Sequence, residues 1–568
     1  MIPKSLRIFL AIALGVAAIG SVGRLSAQRP ASALTGRVTS EKEGPMEGVI
    51  VTARKEGSPI TISVASDASG AYTFPSSRLE PGRYTLRIRA AGYDLGSPDA
   101  VAVATTGTGH LDLKLIPTKD LAAQLTNAEW LLSAPGTDEQ KKALLNCQHC
   151  HTMERIFRSR HDAPELFKAM HRMGTYYEGT TPKHPQLLKP MPNSVREYFS
   201  QADNDYVASI ILGKENPGKE KKVWPYPLKT LPRPAGKGTK MIVTEYDLPR
   251  PGTLPHDVLV DRDGIAWYCD HGENILGRLD PKTGKVTEYP TPVLKPGFPT
   301  GCHFLQIDAN QDLWISMGAQ GAVLKIDRKT LEMKTWNMPK MPDNQEPSVY
   351  ALMVENVKSD GKVWAMESTG RRIQRLDIAS GTWESPIPLF QDIPKDSPAA
   401  SRRHFVYDMH SNGTTVFLLD YYSEYMGKLD FKTGQMTLLP TPTFDSAPRR
   451  GHVDDQGRAW FGEYRGNRIG MLDSKTDKIT EWEMPNKFSG PYDVELDNQG
   501  YAWTSGMTSD RVMRLNTKTG EITEYLLPSP TNDRRVDVVN SPNNSPNGAA
   551  LWMGSNHGGR IVKVEALE

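Results

Sequence analysis

Between residues 239 and 568, short apolar runs recur at a nearly regular interval and are broken each time by Gly, Asp or Asn, the pattern of antiparallel strands joined by tight turns. Strand ends repeat as Arg278-Leu279-Asp280, Lys325-Ile326-Asp327, Arg375-Leu376-Asp377, Lys428-Leu429-Asp430, Met471-Leu472-Asp473, Arg514-Leu515-Asn516 and Lys563-Val564-Glu565, spaced 43 to 53 residues apart. That spacing fits a blade of four strands, and seven repeats predict a seven-bladed β-propeller. An aromatic residue marks the preceding strand of each unit: Trp267, Trp314, Trp364, Phe417, Trp460, Trp503 and Trp552. These rings are expected to pack between blades. The segment Met241-Ile242-Val243-Thr244-Glu245-Tyr246 reads as an outer strand. Pairing it beside Ile561-Val562-Lys563-Val564 would close the ring and cover exposed sheet edges.

Residues 33–116 alternate apolar and polar positions with a period of two, which predicts a small antiparallel β-sandwich. Their motifs are Gly36-Arg37-Val38, Asp67-x-x-Gly70-x-Tyr72-x-Phe74 and Leu79-x-Pro81-Gly82-x-Tyr84-x-Leu86. The segment resembles the carboxypeptidase regulatory-like, transthyretin-like modules. That resemblance implies a non-catalytic spacer, stabiliser or docking surface, with carbohydrate binding as the other option.

The period changes to that of helices over residues 117–213, in stretches 121–132, 141–158, 163–173 and 205–212. Within the second stretch lies Cys147-Gln148-His149-Cys150-His151. Two thiols at this spacing followed by an imidazole suit covalent haem attachment with His151 on the iron; a thioredoxin-like redox pair and half a zinc site are the other readings. On one continuous helix, Cys147 and His151 would share a face. The order C-x-x-C-H, Met191-Pro192, then a last helix holding Asp205-Tyr206-Val207-Ala208 is similar to class I c-type cytochromes, except that Thr152 stands where a glycine is common. The resemblance implies an all-α cytochrome c-like domain carrying haem c, with Met191 as the sixth ligand. Met173 and His171 are rivals for that position, suggested by the shorter run in the haem domain of quinohaemoprotein amine dehydrogenases. A Pro- and Lys-rich stretch, 214–238, reads as a linker.

Residues near the start of each innermost propeller strand are His256, His303, Tyr350, His404, Arg450, Tyr492 and Arg535. Repetition places such positions around one end of the central channel, so His256, His303, His404, Arg450, Tyr492 and Arg535 are the candidate catalytic residues. The pairs Arg402-Arg403, Arg449-Arg450 and Arg534-Arg535 point to an anionic or oxygen-rich small-molecule substrate. Asp270, Glu367, Asp420 and Glu463 each lie three positions after a marker aromatic. They are candidate ligands for Mg²⁺ or Ca²⁺, or groups that steady the imidazoles, or plain strand-end hydrogen-bonding groups.

The motifs Asp263-Gly264-x-x-Trp267, Gly457-Arg458-Ala459-Trp460-Phe461-Gly462-Glu463 and Asn467-Arg468-Ile469-Gly470 make residues 239–568 resemble the virginiamycin B (streptogramin) lyase family. That resemblance implies a seven-bladed fold, a divalent metal, and His and Glu residues that open a cyclic depsipeptide ester by elimination. Glu463 matches the family's W-F-x-E acid, and His452 or His557 is the candidate base.

Lys4, Arg7, the apolar run 8–18 and Leu25-Ser26-Ala27 have the layout of a cleaved export signal over residues 1–27, with a retained tether as the alternative. Export to the periplasm suits covalent haem. The whole chain carries 68 basic and 66 acidic side chains, and removing Lys4, Arg7 and Arg24 leaves 65 against 66. Such a balance gives no electrostatic basis for nucleic-acid binding. Outside the signal, no apolar run reaches membrane-spanning length, so no integral membrane domain is expected. Cys269 and Cys302 are a candidate disulfide in an oxidising compartment.

Three functions follow. The first is a haem-linked oxidoreductase or electron-transfer protein with a periplasmic redox partner; the second is a divalent-metal-dependent carbon–oxygen lyase; the third is a non-catalytic ligand-binding or sensing protein.

Overall fold

The computed structural model describes residues 32–97, 100–103, 107–149, 151–188, 201–212, 224, 226–340, 346–355, 360–367, 371–540, 548–556 and 558–568. Seven antiparallel sheets stand around a channel, with innermost strands Pro255–Val260, Leu305–Ile307, Val349–Met353, Val406–Ser411, Pro448–Val453, Pro491–Leu496 and Asp533–Asn540, which define blades one to seven. Each innermost strand touches the next, and the seventh touches the first, so the ring is closed.

The marker tryptophans are buried between blades, and five of them are fixed by an aspartate upstream. Trp267 Nε1 donates to Asp261 Oδ2 at 2.8 Å, for example, while Asp261 Oδ1 accepts from the backbone of Asp263 and Ile265. The carboxylate thus closes the turn between strands one and two and satisfies the indole that the core would otherwise strand without a partner.

Strand Met241–Asp247 pairs with Arg560–Ala566 and completes blade seven. Its other edge pairs with Ile60–Ala65 of the N-terminal sandwich, making one eight-stranded sheet that runs from propeller into sandwich. The open edge of blade seven is therefore covered by a neighbouring module. Buried ion pairs reinforce the seam: Arg78 to Glu565 and Arg89 to Asp510, both 2.6 Å. Inside the sandwich, Asp67 Oδ1 caps the turn at Gly70, whose φ of 76° demands glycine.

The region between the two β modules departs from expectation. Its described helices are short: α1 (Asn127–Ser133), α2 (Asp138–Lys142), α3 (Met153–Phe157), α4 (Ala163–Met173) and α5 (Gln201–Leu212). The expected helix over 141–158 is broken by a 3-10 stretch, Ala143–His149, and a bend at His151. Cys147 and His151 therefore do not share the face of one helix. Nor do these helices close a core of their own. Trp130, Leu131, Leu144, Leu145 and Met153 join one apolar cluster with propeller residues Tyr350, Met366, Tyr407 and Tyr492. A self-contained all-α cytochrome c-like domain is not supported, because the described helices are five short ones whose apolar residues belong to one cluster with the propeller.

The described end of the expected linker is likewise packed: Trp224 lies edge-on to Trp130 at 5.3 Å, and Leu231 is buried. Cys150, Met191 and His557 lie outside the described residues. Among the described residues, no helix is long and apolar enough to cross a membrane.

Candidate functional site

All seven innermost strands run the same way along the channel, so their first residues gather at one end. His256, His303, Arg450, Tyr492 and Arg535 meet there, together with Arg449 of the Arg449-Arg450 pair and three residues that the sequence did not single out: His271, Tyr407 and Asp257. The ring centroids of His256 and His271 are 4.8 Å apart, those of His271 and His303 4.4 Å, and those of His303 and Tyr350 4.3 Å. All are buried.

Hydrogen bonds fix the imidazole tautomers. His256 Nδ1 donates to Asp257 Oδ1 at 2.8 Å, and His271 Nδ1 donates to the Cys302 carbonyl at 2.8 Å, because carboxylate and carbonyl oxygens only accept. Each Nε2 is left with its lone pair. Burial, reinforced by neighbouring cations, holds His256 well below the usual imidazole range, and burial with His303 beside it lowers His271 to about 3. Both rings are neutral.

Arg450 anchors the ring's centre. It donates to both oxygens of Asp257 at 3.0 and 3.1 Å and to the His303 carbonyl at 3.1 Å, with its guanidinium 3.8 Å from the Phe304 centroid. Arg535 reaches the Leu305 carbonyl at 2.6 Å. Arg449 sits among Tyr407, Tyr421, Tyr464 and Tyr492, 4.2 to 4.9 Å from their centroids. Tyr407 and Tyr492 share a hydrogen bond of 2.7 Å between hydroxyls. Burial raises both phenols, but Arg449, Arg450 and Arg534 outweigh it at Tyr407 and hold that hydroxyl below the ordinary phenol range; Tyr492 stays above it. Tyr407 is thus the phenol that loses its proton more readily, and Tyr492 the one that keeps it.

Two expected members lie elsewhere. His404 bonds Asp420 through Nδ1 and the Ala399 carbonyl through Nε2 at 2.9 Å, and it stacks on Phe390. Both nitrogens are occupied away from the channel. Glu463 is buried next to Glu481, and burial with that neighbour pushes its carboxyl well above the usual range. Asp270 bonds Arg250 and the backbone of Leu254 and Gly272, a structural role. Asp420 steadies His404.

The helical region supplies two pieces over this channel end. One is a strap, residues 175–188, closed by a bridge between Tyr176 and Leu187 and tied to blades one and two by Gln186 and His184. It delivers Tyr177, whose hydroxyl lies 3.4 Å from His303 Nδ1, and Glu178, whose carboxylate lies 3.4 Å from His303 Nε2. The other is the C-x-x-C-H loop itself. Gln148 is fully buried and donates from Nε2 to the Tyr464 hydroxyl, while its carbonyl accepts from Asn532 Nδ2 at 2.9 Å. Tyr464 also donates to the Leu145 carbonyl at 3.1 Å. No repeat or periodicity signals these contacts, because they join separate modules.

His151 Nδ1 donates to the Thr152 carbonyl at 3.2 Å, which leaves Nε2 as the donor atom, and burial lowers the imidazole's affinity for protons. Cys147 packs beside Met170, Ile156 and Trp224 at the edge of the apolar cluster. Of the rival sixth ligands, His171 and Met173 are exposed at the end of α4.

The sequence profile of the virginiamycin B lyase family matches residues 411–567, from blade four onward, and that of the carboxypeptidase regulatory-like domain matches residues 33–116. The chain therefore carries a carboxypeptidase regulatory-like module and a virginiamycin B lyase-like β-propeller. Similar solved structures include selenomethionine-substituted virginiamycin B lyase from Staphylococcus aureus, 20% identical, covering 57% of this chain and 99% of that one with a TM-score of 0.47. A streptogramin B lyase structure is 21% identical over 58% of this chain and 99% of its own, TM-score 0.47. The extracellular domain of a one component system from B. thetaiotaomicron is 16% identical, covering 55% and 40%, TM-score 0.40. No curated protein matches the chain.

Proposed function

We propose that the protein is an exported, haem c-containing oxidoreductase or electron-transfer protein whose propeller channel binds an anionic or oxygen-rich small molecule. One observation carries this reading: Gln148, inside the C-x-x-C-H loop, is bonded to Tyr464, and Tyr464 lies against Arg449 at the Tyr407–Tyr492 pair. The loop is seated on the channel end that holds the histidines.

Cys147 and Cys150 would hold the haem by thioether bonds, with His151 on the iron and Met191 as the candidate sixth ligand. Such a group supplies a one-electron redox centre. The chain's own residues do the rest. Arg449 and Arg534 place positive charge beside the channel, where it favours an anionic ligand. Tyr407 is the more acidic hydroxyl of the pair, the one that gives up its proton more readily, and Tyr492 holds it in position at 2.7 Å. The apolar residues of α1 and α3 belong to the same buried cluster as Tyr407 and Tyr492.

The lyase alternative draws on the family match. It is less favoured because, among the described residues of 411–567, the sole histidine is His452, which faces Asp493 at 3.6 Å. The deciding experiment incubates oxidised protein with candidate periplasmic metabolites while recording the haem spectrum and identifying products. Substrate-dependent haem reduction, lost in Tyr407→Phe, supports the redox reading. Product formation with an unchanged haem spectrum overturns it in favour of the lyase.

A further inference from the structure

The strap and the first two blades bring together one carboxylate and two imidazoles that neither the haem nor the tyrosine pair uses. The ligating atoms of Glu178, His271 and His303 all lie within 4.8 Å of one another. The three groups come from three segments: Glu178 from the strap, His271 from the loop after strand Ala266–Asp270 of blade one, and His303 from the approach to blade two. All three precede residues 411–567, which carry the family match.

The surroundings hold this arrangement in place. A disulfide joins Cys269, two residues before His271, to Cys302, next to His303, with 5.9 Å between the Cα atoms. The Cys302 carbonyl accepts from His271 Nδ1, so the ring turns its Nε2 lone pair away from the backbone and toward the cluster. A carbonyl on the far nitrogen is the usual partner of a metal-bound imidazole. Two glycines let the strap and the blade-two loop close on His271. A Cβ at Gly179 would lie 1.9 Å from the His271 carbonyl oxygen, and one at Gly301 would lie 2.1 Å from the same atom. His256 stands beside the set, its ring 4.8 Å from that of His271 and its Nδ1 committed to Asp257.

We infer that Glu178, His271 and His303 form a mononuclear site for a divalent first-row transition-metal ion of the zinc or iron(II) class, with His256 as a neighbour able to complete it. Two imidazoles and one carboxylate are the donors such ions take, and this ratio leaves coordination positions open toward the channel. Mg²⁺ and Ca²⁺ are disfavoured, since they require mostly oxygen ligands. A small inward movement of the side chains brings all three atoms to bonding distance of one ion. Tyr350 stands beside the set, its ring 4.3 Å from that of His303.

The inference is independent of the haem, and its test keeps the two apart. Full-length protein is stripped with a chelator and dialysed against Zn²⁺, and bound zinc is counted per chain by elemental analysis. The Cys147→Ser/Cys150→Ser double variant is run in parallel to remove zinc held by the haem motif. The expected result is one zinc per chain in both. Glu178→Gln and His271→Ala should each weaken binding by more than about 100-fold, beyond the effect of losing an outer-shell partner, while His404→Ala leaves it intact. Gly179→Ala should also weaken binding, because its Cβ forces the strap and Glu178 off the cluster. Should His271→Ala fail to fold, Glu178→Gln alters only the strap and decides the matter. Zinc bound equally by the parent and Glu178→Gln, or no zinc bound by the double variant, overturns the site.

Discussion

At the scale of single residues, buried charge in the channel decides both stability and its pH dependence. Arg450 and Asp257 are fully buried and doubly bonded. Removing one partner strands the other, so Arg450→Ala should cost about 3–5 kcal/mol in denaturant unfolding. Farther along the channel, His410 is bonded to Glu355 and Asp408 with His452 against its ring, and Asp537 lies near Glu495. Burial alone would lower His410, but Asp408 and Glu355 push it up to about 10; burial, then Glu495, raise Asp537 to about 7. Both groups bind more protons folded than unfolded. The His410 contribution is complete below about pH 6.5 and is lost as pH rises toward 10, and the Asp537 contribution is lost as pH rises from about 4 through 7. Unfolding free energy should therefore fall across this alkaline-going range, and His410→Gln should flatten the upper part of the fall. The sequence made His256, His303, Arg450, Tyr492 and Arg535 legible through repeat register. His271 escaped because it follows the second strand of its blade, and Glu178 because it belongs to no repeat.

At the scale of elements, propeller strands were readable because each blade repeats one amphipathic pattern, and the sandwich because its Gly and Pro turns punctuate a period of two. The join between them was not. Strand Ile60–Ala65 alternates Ile and Val with Thr and Ser, which reads as one wet face, yet nearly all of it is buried because its edge adds to blade seven. Arg89 serves this seam, donating to Asp510 and to the Leu527 and Ser529 carbonyls. Arg89→Ala should cost about 3–5 kcal/mol by leaving Asp510 uncompensated, and it should make the sandwich the first segment cut in limited proteolysis. The helix expected over 141–158 failed for a related reason. Its periodicity was real, but its apolar positions serve two short helices and a turn that together cap the propeller rather than one continuous face.

At the scale of the whole molecule, the three regions form one object in which the sandwich seals the propeller's last blade and the helical region covers one end of its channel. Covering a channel with the C-x-x-C-H loop makes chemical sense when the loop carries a redox group and the channel carries the ligand. Covalent haem on Cys147 and Cys150 decides whether it does. The protein is expressed with the cytochrome c maturation machinery, denatured and extracted with acidified acetone, and the polypeptide's absorbance is recorded. Haem absorbance should stay with the chain and fall in both Cys147→Ser and Cys150→Ser. A polypeptide stripped of all haem absorbance by the extraction would overturn the redox reading.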